Sequence, residues 1–173
     1  MNTLSLFKPV KMIAMDVDGV LTDGMVYLVR DLEQARAMNI KDGYALQLAV
    51  KKGYTIVVIS GAYDGGVENR LKGLGIKEVH LGVSDKLTLL KKLAAKYGYN
   101  AAQVIFIGDD IPDAAAMKWA GLPCAPADAV QEILSVSQYV SPFNGGKGCV
   151  RDIIEKVMKL NDDWHPMSDV VSK

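Results

Sequence analysis

Three short runs, Met12–Met15, Thr55–Ile59 and Val104–Ile107, are apolar at every position after a β-branched Thr55 opens the second, and each stops at small or acidic residues. A half-exposed strand alternates apolar and polar side chains, so a strand that never alternates must be covered on both faces. Longer amphipathic stretches separate these runs, which is the pattern of repeated strand–helix–strand units around a parallel sheet. Glu78–Leu81, Leu122–Ala125 and Gln138–Val140 extend the strand series. Asp42–Lys52, Gly66–Leu74, Asp85–Tyr97 and Lys147–Leu160 are the expected helices, the first three stopping at Gly53, Gly75 and Gly98. The spacing predicts an α/β sandwich with right-handed crossovers.

One segment breaks the series. Residues 25–40 lie between the first strand and the first helix, and the polar stretch Arg30–Gln34 sits between more apolar flanks. We read it as a β-hairpin projecting from the sheet. The remainder, residues 1–160, is expected to form a single domain, with a loose polar tail over 161–173. Half of the 173 residues are apolar, enough for a proper core at this length. The formal net charge is zero and no basic stripe is visible, which argues against a nucleic-acid partner. No apolar run has membrane-spanning length, and Lys8, Pro9 and Lys11 interrupt the N-terminal segment. Cys124 and Cys149 show neither metal-ligand spacing nor a disulfide framework. The expected setting is the cytoplasm.

The chemistry-bearing residues follow the strands, at the sheet edge where open α/β proteins bind ligands. Asp16 and Asp18 are two apart on an extended chain and face one pocket. One carboxylate is a competent nucleophile toward phosphorus, and the other is placed to move a proton. An Asp-rich turn after a strand is a common alternative for this pair alone. Ser60-Gly61 offers a hydroxyl and exposed N–H groups suited to phosphate oxygens, although a Ser-capped turn explains the dipeptide equally well. Lys86 opens a helix where its charge reaches an anionic substrate, yet most lysines are simply solvated. Gly108-Asp109-Asp110-Ile111-Pro112-Asp113 puts three acids in five residues. Asp110 and Pro112 suit a helix start, while Asp109 and Asp113 at a four-residue spacing suit a hard divalent cation. With Asp16 and the backbone carbonyl of Asp18, they make the expected metal site.

The ordered set of Asp16 with Asp18, Ser60, Lys86, and Asp109 with Asp113 resembles the haloacid dehalogenase superfamily of phosphohydrolases, from Asp16 to about Ile153. The resemblance implies a Rossmann-like three-layer sandwich with a mostly parallel sheet. It implies a nucleophilic Asp16, an acid/base Asp18, phosphate binding by Ser60 and Lys86, and magnesium at Asp16, Asp18, Asp109 and Asp113. Asp18–Gly24, Asn39–Gly43, Gly82–Lys86 and Gly145–Gly148 are more narrowly similar to the 3-deoxy-D-manno-octulosonate 8-phosphate phosphatases. Those enzymes carry the projecting hairpin and no cap domain. The resemblance therefore implies a small phosphorylated keto-sugar acid as substrate. It also implies a homotetramer in which the hairpin and a neighbour's C-terminal segment close the site. Gly61 and Arg70 are implied substrate contacts, with Arg70 toward a carboxylate; a solvated helix arginine is the alternative. Ala62 departs from the family, which often has arginine there, and leaves the substrate more open than the reaction.

Three other readings remain at this point. A nonulosonate 9-phosphate phosphatase would use the same chemistry on a nine-carbon substrate. A phosphoacceptor receiver domain shares clustered acids and a lysine, but Asp18 favours turnover. A catalytically idle oligomerisation module would not require the full set of reactive residues.

Overall fold

The computed structural model describes residues 3–29 and 34–165. Six parallel strands form the main sheet: β1 (Met12–Met15), β4 (Thr55–Ile59), β5 (Glu78–His80), β6 (Val104–Ile107), β7 (Leu122–Ala125) and β8 (Tyr139–Val140). A separate antiparallel pair is made by β2 (Tyr27–Leu28) and β3 (Gln34–Ala35). The sheet order is β5-β4-β1-β6-β7-β8. The chain thus leaves β1 to build one side and returns to build the other, which opens a crevice at the carboxyl end of β1.

Successive side chains on β1 point to opposite sheet faces, and both faces are buried. Ile13 and Met15 join one core cluster, together with α1 (Ile40–Lys51), α2 (Gly65–Gly73) and α6 (Cys149–Leu160). Met12 and Ala14 join the other, with α3 (Lys86–Tyr97), α4 (Ala114–Trp119) and α5 (Gln131–Val136). This gives three layers and explains why the central strands are apolar at every position except Thr55, the half-buried first residue of β4. α6 shows the clearest helical stripe, with Val150, Ile153, Ile154, Val157 and Met158 all buried.

The expected strands appear with small changes at Leu81 and Gln138, which fall outside β5 and β8. Helix starts moved more, because capping fixed them. Asn39 caps α1, accepting from Lys41 N, and Asp64 caps α2, accepting from Gly66 and Val67 N. α6 begins two residues beyond the expected Lys147. α4 and α5 are additions to the expected helices, since six residues each is too short for a helical period to stand out in the sequence. The strands of the expected hairpin are present, with its turn, 30–33, outside the described residues. The start of the expected tail is held: Trp164 meets Tyr44 edge-on and Tyr54 Oη donates to Asp163 Oδ2 at 2.7 Å. Residues 166–173 lie outside the described residues. Among those described, no helix is long and apolar enough to cross a membrane.

Candidate active site

A cleft of about 340 Å3 opens at the carboxyl ends of β1, β4 and β6, lined by Asp16, Asp18, Ser60, Gly61, Lys86 and Asp109 among others. Asp16 continues from β1, and its N–H donates to the Ile107 carbonyl of β6. Its Oδ1 accepts from Val17 N at 2.7 Å, and its Oδ2 lies 2.9 Å from Lys86 Nζ. Lys86 is the first residue of α3 and is 6% exposed. A buried ammonium needs paired charge, and Asp113 supplies a second carboxylate 2.7 Å away.

Asp109 follows β6, and its N–H donates to Asp113 Oδ2 at 3.1 Å. Asp110 caps the short 3-10 turn Ile111–Asp113 with Pro112 inside it, as the capping reading expects. That turn carries Asp113 back beneath Asp109, where it is fully buried. Gly19 has φ +77°, and a Cβ there would overlap the Asp109 carboxylate, so a glycine is required at this crossing. Gly145 and Gly146 press on the same loop from outside: Gly146 N donates to Val20 O at 2.9 Å, with no room for a Cβ against Thr22.

Asp16, Asp109 and Asp113 each bring a carboxylate oxygen within 4.8 Å of the others. Burial first, then Asp113, pushes Asp16 up to about 6 against the pull of Lys86. Burial, then the Asp113 and Asp16 charges, pushes Asp109 to about 7. Burial also opposes the charge on Lys86, but Asp16 and Asp113 outweigh it and raise its pKa. Asp109 Oδ1 is buried and accepts no hydrogen bond among the described residues. An orphaned carboxylate oxygen beside two further carboxylates fits a hard divalent cation.

Ser60 is buried at the end of β4, and its Oγ accepts from Ala62 N at 3.2 Å. Gly61 and Ala62 continue the cleft wall. Asp18 lines the cleft, but its carboxylate stands apart from the three-acid cluster. It accepts from Arg36 Nε at 2.8 Å and from Arg36 Nη2 at 3.2 Å. The metal expectation for Asp18 therefore rests on its backbone carbonyl and not on its side chain. Arg70 does not reach the reaction cleft. It lines a neighbouring cavity of about 350 Å3 with Arg36, Asp64 and Val67. Arg36 and Asp64 were missed in the sequence. Asp64 carried a legible signal, an acid just before a helix start; Arg36 carried none.

A family of haloacid dehalogenase-like hydrolases matches residues 73–153. The 3-deoxy-D-manno-octulosonate 8-phosphate phosphatase of Yersinia pestis is 33% identical over 153 residues, covering 88% of this chain and 82% of that protein. The enzyme of the same name from Escherichia coli K12 is 33% identical, over 86% of this chain and 79% of its own length. A crystal structure of the Moraxella catarrhalis enzyme, in complex with magnesium ion, phosphate ion and Kdo, superimposes with a TM-score of 0.90 at 33% identity, over 94% of this chain and 93% of that one. The cobalt-bound Haemophilus influenzae enzyme gives 0.87 at 29% identity, over 91% and 92%. With this breadth of similarity across the whole fold, the chain belongs to the haloacid dehalogenase-like hydrolases, in the family of the 3-deoxy-D-manno-octulosonate 8-phosphate phosphatases.

Proposed function

We propose that the protein is a magnesium-dependent phosphatase that hydrolyses 3-deoxy-D-manno-octulosonate 8-phosphate to Kdo and inorganic phosphate, a step in lipopolysaccharide precursor synthesis. The observation that carries this reading is the meeting of Asp16, Lys86, Asp109 and Asp113 at the base of one open cleft, with Ser60 on its wall. The relatives' activity and the magnesium, phosphate and Kdo of the Moraxella complex support it.

The reaction runs in two halves. Asp16 attacks phosphorus in line as the bond from phosphorus to the sugar oxygen breaks, and Asp18 delivers its proton to that oxygen. Water then loses a proton to Asp18 and attacks phosphorus, releasing phosphate and regenerating the Asp16 carboxylate. Lys86 and Ser60 hold the phosphate oxygens. Asp16, Asp109, Asp113 and the Asp18 carbonyl would hold magnesium, which supplies neutralisation of the phosphate charge. Gly61 contacts the sugar acid on the cleft wall, and Arg70, in the neighbouring cavity, would meet its carboxylate where the sugar extends from the cleft into that cavity.

The protein works in the cytoplasm as a homotetramer. Both cysteines are free and buried, in keeping with a reducing compartment. Met25–Val29 on the hairpin are all exposed, Leu28 by 83%, an apolar run suited to a second copy of the chain. Light scattering after size exclusion reads the assembly directly, and a monomer would remove it from the proposal.

The test of activity is phosphate release from a panel of sugar phosphates, with magnesium and with excess chelator. We expect magnesium-dependent turnover with preference for the octulosonate 8-phosphate over nonulosonate 9-phosphates. Folded protein that hydrolyses no member, with magnesium present, would overturn the reading.

A further inference from the structure

Arg36 brings a buried guanidinium from the hairpin to the edge of the reaction cleft; its side chain is only 6% exposed. Its Nε and Nη2 form a two-point grip on both oxygens of Asp18, at 2.8 and 3.2 Å. Its Nη1 donates to Asp64 Oδ2 at 2.8 Å, and Nη2 also reaches Gln34 Oε1 at 3.4 Å. Asp64 is fixed in turn, because its Oδ1 accepts from Gly66 N at 2.8 Å and Val67 N at 3.1 Å as the cap of α2. Rigid backbone therefore orients Asp64, Asp64 orients Arg36, and the planar fork of Arg36 orients Asp18.

The two Asp18 oxygens are held unequally. Oδ1 accepts from Arg36 Nε and also, at 3.4 Å, from Thr22 Oγ1. Oδ2 has the longer Arg36 contact and no second bond among the hydrogen bonds of the described residues. A carboxylate on a short side chain has free χ angles in an open cleft, and without the fork no other contact of comparable strength among the described residues would fix which way Oδ2 faces. General acid catalysis depends on that orientation, because the proton donor must lie within hydrogen-bond reach of the leaving oxygen.

We propose that Arg36 is a positioning residue: its bidentate grip holds Asp18 with Oδ2 aimed at the leaving-group oxygen. The role rests on the phosphatase reading above. Arg36 does not touch the phosphate; it acts through Asp18. A side chain that only braced the fold would slow every substrate alike, whereas one that aims the acid matters most when the leaving group needs a proton.

The experiment measures kcat/KM for a series of substituted phenyl phosphates, alike in shape and graded in leaving-group acidity, with wild type and Arg36→Met in magnesium. We expect the loss to grow from a few-fold with p-nitrophenyl phosphate to about 10²-fold with phenyl phosphate, the low end of what a positioned acid contributes. Equal losses across the series, or no loss, would overturn the proposal. If Arg36→Met does not fold by circular dichroism, Arg36→Lys keeps the charge without the fork and is read in the same way. Absence of hydrolysis by wild type sinks the phosphatase reading and this proposal with it; hydrolysis with parallel losses sinks this proposal alone.

Discussion

Lys86 Nζ lies 2.9 Å from Asp16 Oδ2, so the cation that opens α3 sits against the carboxylate that follows β1. The same ammonium bonds Asp113 and is nearly sealed from solvent. Replacing it with an apolar side chain leaves buried carboxylates without their counter-charge, a change that costs about 3 kcal/mol or more. We expect Lys86→Met to melt at lower temperature near neutral pH and to lose at least about 10²-fold in kcat, the scale of removing one charge stabiliser. Calorimetry and phosphate release check both; unchanged kcat would remove Lys86 from the phosphate site.

Asp16→Asn tests the nucleophile. The amide keeps the shape and can still meet Val17 N through its oxygen, so the fold should persist. Turnover should vanish, and no phosphorylated protein should be trapped by acid quench and mass measurement. Substantial residual activity would rule out Asp16.

Asp109 carries a cost in the metal-free protein. Burial and the charges of Asp113 and Asp16 raise its folded pKa to about 7. An acid raised on folding destabilises the fold once pH exceeds its unfolded value, because the folded state resists losing that proton. Asp109→Asn removes the repulsion, so its melting temperature in chelator should exceed that of wild type near neutral pH. Magnesium should raise the wild-type melting temperature and leave the variant's unmoved, since only the former gains a bound ligand. A full magnesium shift in Asp109→Asn would contradict the assigned site.

Glu78 provides the opposite sign, far from the reaction cleft. Burial would raise its pKa, but bonds from Lys96 at 2.6 Å, Tyr97 at 2.6 Å and His80 at 2.8 Å outweigh it and hold the carboxyl at about 2, below the ordinary 4.5. A depressed acid stabilises the fold fully above its unfolded value and loses that contribution as pH falls toward its folded value. The stability gap between wild type and Glu78→Gln should therefore be largest above pH 4.5 and narrow progressively toward pH 2. Urea unfolding across that range reads it, and a gap independent of pH would show the charge to be irrelevant.

Gly146 has φ +63°, and its missing Cβ is the space in which Thr22 sits. Gly146→Ala should cost about 1–2 kcal/mol from backbone conformation alone. Displacement of the Asp18–Gly24 loop should add a fall in kcat. A variant as stable and as active as wild type would show that this contact does not shape the site.

Much of this was legible in the chain itself. The β1, β4, β6 and β7 bounds match the apolar runs residue for residue, because burial on both faces leaves a mark at every position. Asp16, Ser60, Lys86 and Asp109 could be placed at one sheet edge for the same reason, since each follows a strand or opens the next helix. The helix starts at Ile40, Gly65 and Cys149 were less legible, because a cap is a hydrogen bond that composition only suggests.

The sequence by itself determined the layers, the strand ends and the residue types gathered there, all of which depend on local periodicity and on which elements must be covered. Tertiary structure alone decided which charges became neighbours. Arg36 meets Asp18 across 18 residues and Asp64 across 28, and Asn39 reaches the Gly146 carbonyl across 107. No spacing rule spans such separations, because they follow from how the hairpin, α2 and the loop before α6 fold over the sheet. The raised acids at Asp16 and Asp109 and the two-point hold on Asp18 exist only once that packing has excluded water and brought the charges together.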